Sequence, residues 1–99
     1  MKNEDRVRFL HMREATAVAI SMAASRSRDQ LLTDRVFSLA LARCLEIIGE
    51  AASRLTAETR VQHPTLPYVE MITMPDRPIH AYFDVDLDIL WPTVSEDVK

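Results

Sequence analysis

The distribution of proline and glycine constrains the fold of this 99-residue chain more than any other feature of the sequence. The chain has one glycine and five prolines, and all five prolines lie within residues 64–92. A single glycine excludes the glycine-rich loops that bind phosphate in P-loop and dinucleotide-binding folds. It also leaves few of the glycine turns that all-β folds require. We therefore predict long helices before residue 64 and shorter, interrupted helices after it.

The composition is typical of a single globular domain, which we assign to residues 1–99. Hydrophobic residues make up 47% and charged residues 27%, whereas disorder would require fewer apolar residues and a larger net charge than −3. No apolar run approaches the roughly 20 residues of a membrane span, and the first residues lack a signal-peptide pattern. The lone Cys44 excludes an intramolecular disulfide and a zinc site built on cysteine pairs. These features predict a cytoplasmic protein that does not associate with membranes.

Two long amphipathic helices are predicted in the first part of the chain. The first begins at an Asn3 N-cap and ends near Ala24, and either Thr33 or Asp29 caps a second helix that runs to about Glu58. The apolar stripe of the first helix consists of Phe9, Met12, Thr16, Ile20 and Ala23. The stripe of the second consists of Phe37, Leu41, Cys44, Leu45, Ile48, Ala52 and Leu55. Gly49 on this helix indicates close packing against another backbone.

Shorter helices are expected after residue 64. Pro67 suits the first turn of a third helix from Tyr68 to Met74, and a last helix begins near Asp84 or Asp86. We therefore predict an all-α fold, an antiparallel bundle of about four helices.

The charges are distributed unevenly along the chain. Residues 1–60 contain ten Lys and Arg against eight Asp and Glu, a net charge of +2, and residues 61–99 contain two against seven, a net charge of −5. Positive charge for an anionic ligand must therefore come from the first sixty residues or from a partner. The arginines of the first two helices form no run, so the sequence indicates nucleic-acid contact there only weakly.

A cluster of polar side chains near the C-terminus is the strongest candidate for chemistry: Asp76, Arg77, His80 and Tyr82. Histidine exchanges a proton near neutral pH, and arginine is a permanent cation suited to phosphate oxygens. The alternative is structural, with Arg77 on the surface and His80 satisfied at a helix end.

Three other features suggest structure more than chemistry. Glu46 and Glu50 share a helix face and could bind a metal or transfer protons, but an ion-paired surface is the simpler explanation. Cys44 lies on the apolar stripe and is expected in the core. His11 and His63 are isolated, and we expect both on the surface or in loops.

Three blocks of the sequence resemble a known family. They are residues 45–55 (LEIIGEAASRL), 63–68 (HPTLPY) and 79–91 (IHAYFDVDLDILW). In order and spacing they closely resemble the HepT family of HEPN-domain toxins, and the resemblance extends from about residue 4 to residue 98.

This resemblance implies a HEPN helical bundle that forms a homodimer and cleaves RNA without a metal or other cofactor. The family pairs each toxin with an MNT-type nucleotidyltransferase antitoxin in a two-gene toxin–antitoxin system. Arg and His of both subunits line a cleft at the dimer interface, where the ribose 2′-OH acts as the nucleophile. The antitoxin silences the toxin by attaching AMP to the motif tyrosine.

Carried onto this sequence, the motif assigns the catalytic histidine to His80, the polar residue to Asp76 and the AMP-accepting tyrosine to Tyr82. Pro75 occupies the position of the motif arginine, and Arg77 is the cation that could replace it. Two functions follow: a ribonuclease that uses Arg77, or a catalytically inactive dimeric module that binds a nucleotidyltransferase. A helical protein that shares only the packing pattern is the third alternative.

Overall fold

A computed structural model describes residues 2–27 and 29–73, and all regular elements in these ranges are helices. They are α1 (Asn3–Ala23), α2 (Gln30–Thr33), α3 (Arg35–Ser53), α4 (Ala57–Gln62) and α5 (Tyr68–Thr73). The all-α prediction is confirmed. The expected last helix near Asp84 or Asp86 lies outside the described residues. None of the five described helices is long and apolar enough to cross a membrane.

The central element of the bundle is α3, which contacts α1, α2 and α5. Its predicted apolar stripe is buried from Phe37 to Ala52, and Leu55, just past the helix end, is buried as well. On α1, Phe9, Met12 and Thr16 are fully buried. Ile20 and Ala23 are partly buried against the same core. The periodicity of the apolar residues therefore identified the packed faces of both long helices.

The start of α3 differs from the prediction. Asp34 is the N-cap, and its Oδ1 accepts a hydrogen bond from the backbone N–H of Phe37 at 3.0 Å. Thr33 ends the single-turn helix α2, and Asp29 precedes α2 without a side-chain capping bond. Asp34 has extended backbone angles, which allow its carboxylate to turn back onto the free N–H groups of the first turn.

The start of α1 is also shifted by one residue. Lys2, not Asn3, is the N-cap, because the carbonyl of Lys2 accepts the first helical hydrogen bond, from the N–H of Arg6 at 3.0 Å. No side chain caps this end. Glu4 and Asp5 occupy the first turn, where carboxylates are favoured by the positive end of the helix dipole.

The second long helix ends earlier than predicted, at Ser53 instead of near Glu58. Thr56 starts α4, because its hydroxyl accepts a hydrogen bond from the N–H of Thr59. Arg60, in α4, then reaches back, and its guanidinium donates to the carbonyls of Ala52 and Ser53 at 3.0 and 3.2 Å. These bonds satisfy carbonyls that the end of α3 leaves free.

Asp5 connects the first turn of α1 to the first turn of α4. Its carboxylate accepts hydrogen bonds from the N–H of Thr56 at 3.2 Å, from the Thr56 hydroxyl at 2.7 Å and from the Thr59 hydroxyl. Only 1% of Asp5 is exposed. Burial raises the pKa of the Asp5 carboxyl, but the hydrogen bonds from Thr59 and Thr56 outweigh it and hold the pKa below its usual value of 3.8.

Replacing Asp5 by alanine is expected to lower the free energy of unfolding by about 3 kcal/mol, because the buried donors of Thr56 and Thr59 lose their acceptor. The Asp5→Asn variant retains the size and removes the charge. Since the pKa is lower in the folded protein, the carboxylate stabilises the fold fully above pH 3.8 and loses this effect as pH falls through the folded-state pKa.

Urea unfolding of wild type and Asp5→Asn at about pH 7 and about pH 3 measures this effect. The difference between the two proteins should be largest at the higher pH and should shrink at the lower one. An unchanged difference would show that the charge of Asp5 does not contribute to stability.

Candidate functional site

The residues predicted to carry the chemistry lie outside the described part of the chain. These are Asp76, Arg77, His80 and Tyr82, together with Pro75. Their roles therefore remain predictions, and the described site is built from other residues.

The paired carboxylates on α3 are part of an ion-paired surface. Glu46 lies 3.4 Å from the guanidinium of Arg43, and Glu50 lies 3.1 Å from that of Arg54. All four side chains are more than half exposed. Within residues 2–27 and 29–73 no cluster of histidine, cysteine, aspartate or glutamate could hold a metal ion. The ion-paired interpretation of Glu46 and Glu50 is confirmed.

Cys44 is in the core, as expected from its position on the apolar stripe. It is 7% exposed, and burial raises the pKa of its thiol. A raised pKa keeps the side chain in the protonated form, which is a poor nucleophile. Cys44 therefore serves as a small apolar residue.

The two described histidines have different surroundings. His63 is in the loop after α4, as predicted, but it is not isolated: its ring lies 5.1 Å from that of Phe9, and its carbonyl accepts a hydrogen bond from the Tyr68 hydroxyl at 2.7 Å. His11 is exposed on α1, again as predicted, and it contributes to the groove described next.

A groove of about 300 Å³ lies between α1 and α3, and three arginines and a histidine line it. We call it the basic groove; its residues are Arg8, His11, Arg43, Ile47, Glu50, Ala51 and Arg54. The spacing along each helix explains how they meet. Arg8 and His11 are three residues apart on α1. Positions 43, 47 and 50 of α3, and position 54 at its C-cap, follow at intervals of four, three and four. Each set therefore lies along one face of its helix.

The charge of the basic groove is positive. Its lining contains three guanidinium groups and one carboxylate, that of Glu50, and the Arg54–Glu50 pair is more than half exposed on both sides. Ion pairs exposed to this degree are weak, so neither Arg43 nor Arg54 is firmly held by its partner. The groove can therefore offer several cations to an anion.

Arg8 is the residue of this groove that most requires explanation. Its side chain is half-buried, and its Nε is buried without a hydrogen-bond partner among the described residues. A buried donor without an acceptor costs about 1–3 kcal/mol. Such a group is satisfied when an anion binds beside it, and the planar guanidinium suits carboxylate and phosphate oxygens.

An apolar cavity of about 480 Å³ adjoins the basic groove. Its lining shares His11, Arg43 and Ile47 with the groove and adds Glu14, Ala15, Val18 and Cys44. The two together form one depression with a charged end and a largely apolar end.

This site did not emerge from the sequence, because the arginines form no run and His11 is isolated from the other histidines. The spacing of three on α1 and of three or four on α3 was a usable signal, because residues at these intervals share a helix face. That the two faces meet required the tertiary structure.

Comparison with known proteins identifies the family. The model of the HepT-like family, described as ribonuclease HepT-like, matches residues 12–99. The chain is 44% identical over 70 residues to a protein of Thermococcus cleftensis named probable ribonuclease HepT, covering 71% of this chain and 64% of that protein. No solved structure gives a significant match.

Two further relatives have names that propose RNase activity. A protein of Caldanaerobacter subterraneus subsp. tengcongensis is 34% identical over 88 residues, covering 89% of this chain and 79% of that protein. A protein of Methanocaldococcus jannaschii is 30% identical over 79 residues, covering 80% and 65%. The chain thus spans less than two thirds of the length of the T. cleftensis and M. jannaschii proteins. The match over most of its residues nevertheless shows that this chain belongs to the HepT-like family.

Proposed function

We propose that this protein is a metal-independent endoribonuclease, the toxin of a HepT/MNT type toxin–antitoxin system in the cytoplasm. The observation that carries the proposal is the family match, which extends over residues 12–99 and so includes Asp76, Arg77, His80 and Tyr82. The names of the relatives, a probable ribonuclease HepT among them, support the same activity.

In the proposed reaction, the ribose 2′-OH of the RNA attacks the adjacent phosphorus and displaces the 5′ oxygen of the next nucleotide. His80 accepts the proton of the attacking 2′-OH or donates one to the departing 5′ oxygen, since an imidazole can do either near neutral pH. Arg77 stabilises the negative charge on the phosphate oxygens. Asp76 is the polar residue that directly follows the position of the motif arginine, which Pro75 occupies here. The site is a cleft between two copies of the chain, so the active protein is a homodimer.

The experiment that tests this function is cleavage of RNA by the purified protein, compared with a His80→Ala variant. A rate for wild type no higher than for the variant would refute the assignment.

The second candidate function is a dimeric module that binds the nucleotidyltransferase and does not cleave RNA. A specific observation favours it: Pro75 stands where the family motif has arginine, and proline offers neither a cation nor a donor. Pro78 also follows within the motif, and proline disfavours a continuous helix there. Replacement of Pro75 by arginine distinguishes the two candidates.

Tyr82 is expected to carry AMP when the protein is produced with an MNT-type nucleotidyltransferase from the neighbouring gene. Mass spectrometry of the intact protein and of its peptides should show one added AMP at Tyr82 and none in a Tyr82→Phe variant. An unmodified wild-type protein from the same co-expression would contradict the proposed silencing mechanism.

A further inference from the structure

We infer that the basic groove and its adjoining apolar cavity bind single-stranded RNA, as a surface that holds the substrate of the proposed ribonuclease. The inference rests on the proposed ribonuclease function for the identity of the ligand. It rests on the described residues of α1 and α3 for the location.

The distribution of charge along the chain favours this groove as the RNA-binding surface. Residues 61–99 have a net charge of −5, so an RNA strand must find its positive charge in the first sixty residues or in a partner. Three of the arginines in that part, Arg8, Arg43 and Arg54, line one groove. Contacts between such side chains and phosphates supply most of the affinity in nucleic-acid binding that does not depend on sequence.

The unsatisfied hydrogen-bond donor of Arg8 also favours an anionic ligand in this groove. The structure provides no hydrogen-bond partner for its buried Nε among the described residues. Elsewhere in α1, a buried carboxylate is fully satisfied: Asp5 accepts three hydrogen bonds. Among the described residues, the Thr16 hydroxyl and the Nε of Arg60 also lack a partner, but of these three groups only that of Arg8 belongs to the lining of the basic groove, where a phosphate oxygen would satisfy it.

The groove and the adjoining cavity together suit a ligand that has both a charged part and an apolar part. Inorganic phosphate would use the charged end alone. A nucleotide has an anionic phosphate beside a flat base whose faces are apolar. Ala15, Val18 and Ile47 provide an apolar wall next to the arginines. Arg43 on α3 and Arg54, the C-cap just past its end, are also eleven residues apart, about 16 Å along a helix, which is longer than a single phosphate group. An RNA strand fits both features.

The experiment measures binding apart from cleavage. The full-length protein is titrated into a fluorescent single-stranded RNA of about 12 nucleotides, 2′-O-methylated throughout so that no 2′-OH can attack, and anisotropy reports binding. The variants are Arg8→Gln, Arg54→Gln and the double substitution. Arg35→Gln is the matched control, because Arg35 is exposed at the start of α3 and lines neither cavity, and its replacement removes the same charge as Arg54→Gln.

The double variant is expected to bind at least tenfold more weakly, with Arg35→Gln within twofold of wild type. The slope of log affinity against log salt should decrease by about 1.4, since each lost phosphate contact on a single strand removes about 0.7. Equal binding by the double variant and by Arg35→Gln would overturn the inference. Thermal unfolding checks the fold of each variant, and Arg54→Gln, at an exposed position, provides the test if Arg8→Gln is unstable.

Competitors distinguish the source of the anion. AMP that binds as tightly as the oligonucleotide would show that the groove holds a free nucleotide instead of a strand. A polyglutamate peptide that displaces the RNA at equal concentration would identify an acidic protein segment as the occupant. Either result overturns the RNA assignment, and weak competition by both supports it.

Cleavage of unmodified RNA separates this inference from the proposed function. If His80 is required for cleavage and the KM of the double variant equals that of wild type, the ribonuclease function stands and the groove assignment fails. If wild type does not cleave RNA but the arginine variants bind it more weakly, the groove assignment stands and the proposed ribonuclease function fails.

Discussion

Alanine at position 80 is expected to reduce the rate of RNA cleavage by at least about 100-fold, the usual contribution of a positioned acid–base group. His80 is the residue of the family motif that can take a proton from the attacking 2′-OH or give one to the departing 5′ oxygen. The measurement is the rate of appearance of fragments from an end-labelled RNA. Parallel reactions with and without EDTA are compared, because the proposed mechanism needs no metal.

The matched control is His63→Gln, which also removes an imidazole but at a loop position that packs against Phe9. Its cleavage rate should be close to that of wild type once folding has been verified. Equal rates for wild type and His80→Ala would exclude His80 as a catalytic residue, and inhibition by EDTA would contradict the metal-independent mechanism.

The Pro75→Arg variant restores the motif arginine instead of removing a motif residue, and so tests whether Pro75 has abolished activity. If the proline has removed activity, the restored guanidinium should raise cleavage well above that of wild type. An active wild type with no gain in Pro75→Arg would count against the inactive binding module and favour a site in which Arg77 already supplies the cation.

Replacing Phe9 by alanine is expected to destabilise the fold by about 3–5 kcal/mol. The side chain of Phe9 is fully buried, and its ring lies 5.1 Å from that of His63, in the loop after α4. Its loss leaves a cavity in the core that α1 shares with α3 and removes the contact that joins α1 to this loop. The free energy of unfolding in urea, extrapolated to water, measures the effect.

Val7→Ala is the control, since Val7 is on the same helix but is 42% exposed. It should cost less than about 1 kcal/mol, as is usual for positions outside the core. A loss of similar size at both positions would show that Phe9 is not a principal core residue. If the slope of the unfolding free energy against urea concentration also decreases, the substitution has changed the compactness of the unfolded or native state.

The two long helices could be predicted from the sequence because their determinants are local. Phe9, Met12 and Thr16 on α1, and Phe37, Leu41 and Ile48 on α3, recur at the spacing of one helix face, and all six are buried. Burial of apolar area is the dominant favourable term in folding, so a stripe of this kind is rarely left exposed. The same reasoning placed Cys44 in the core.

The helix ends could not be predicted as well, because they depend on residues far apart in the chain. The end of α3 at Ser53 involves Thr56, whose hydroxyl donates to Asp5, 51 positions earlier. It also involves Arg60, which binds the last carbonyls of α3. Neither pairing leaves a periodic signal, so the sequence favoured an unbroken helix to Glu58.

What the sequence determined by itself was the class of fold, the buried faces of α1 and α3 and the resemblance to HepT-like proteins that the family match bears out. Each of these depends on residue type and on intervals of a few residues, which set the pattern of a helix. The tertiary structure alone decided that Arg8 and His11 of α1 line one groove with Arg43 of α3 and with Arg54, the C-cap of that helix. These two pairs of residues are more than thirty positions apart in the chain, and only the packing of the buried stripes brings their charges together.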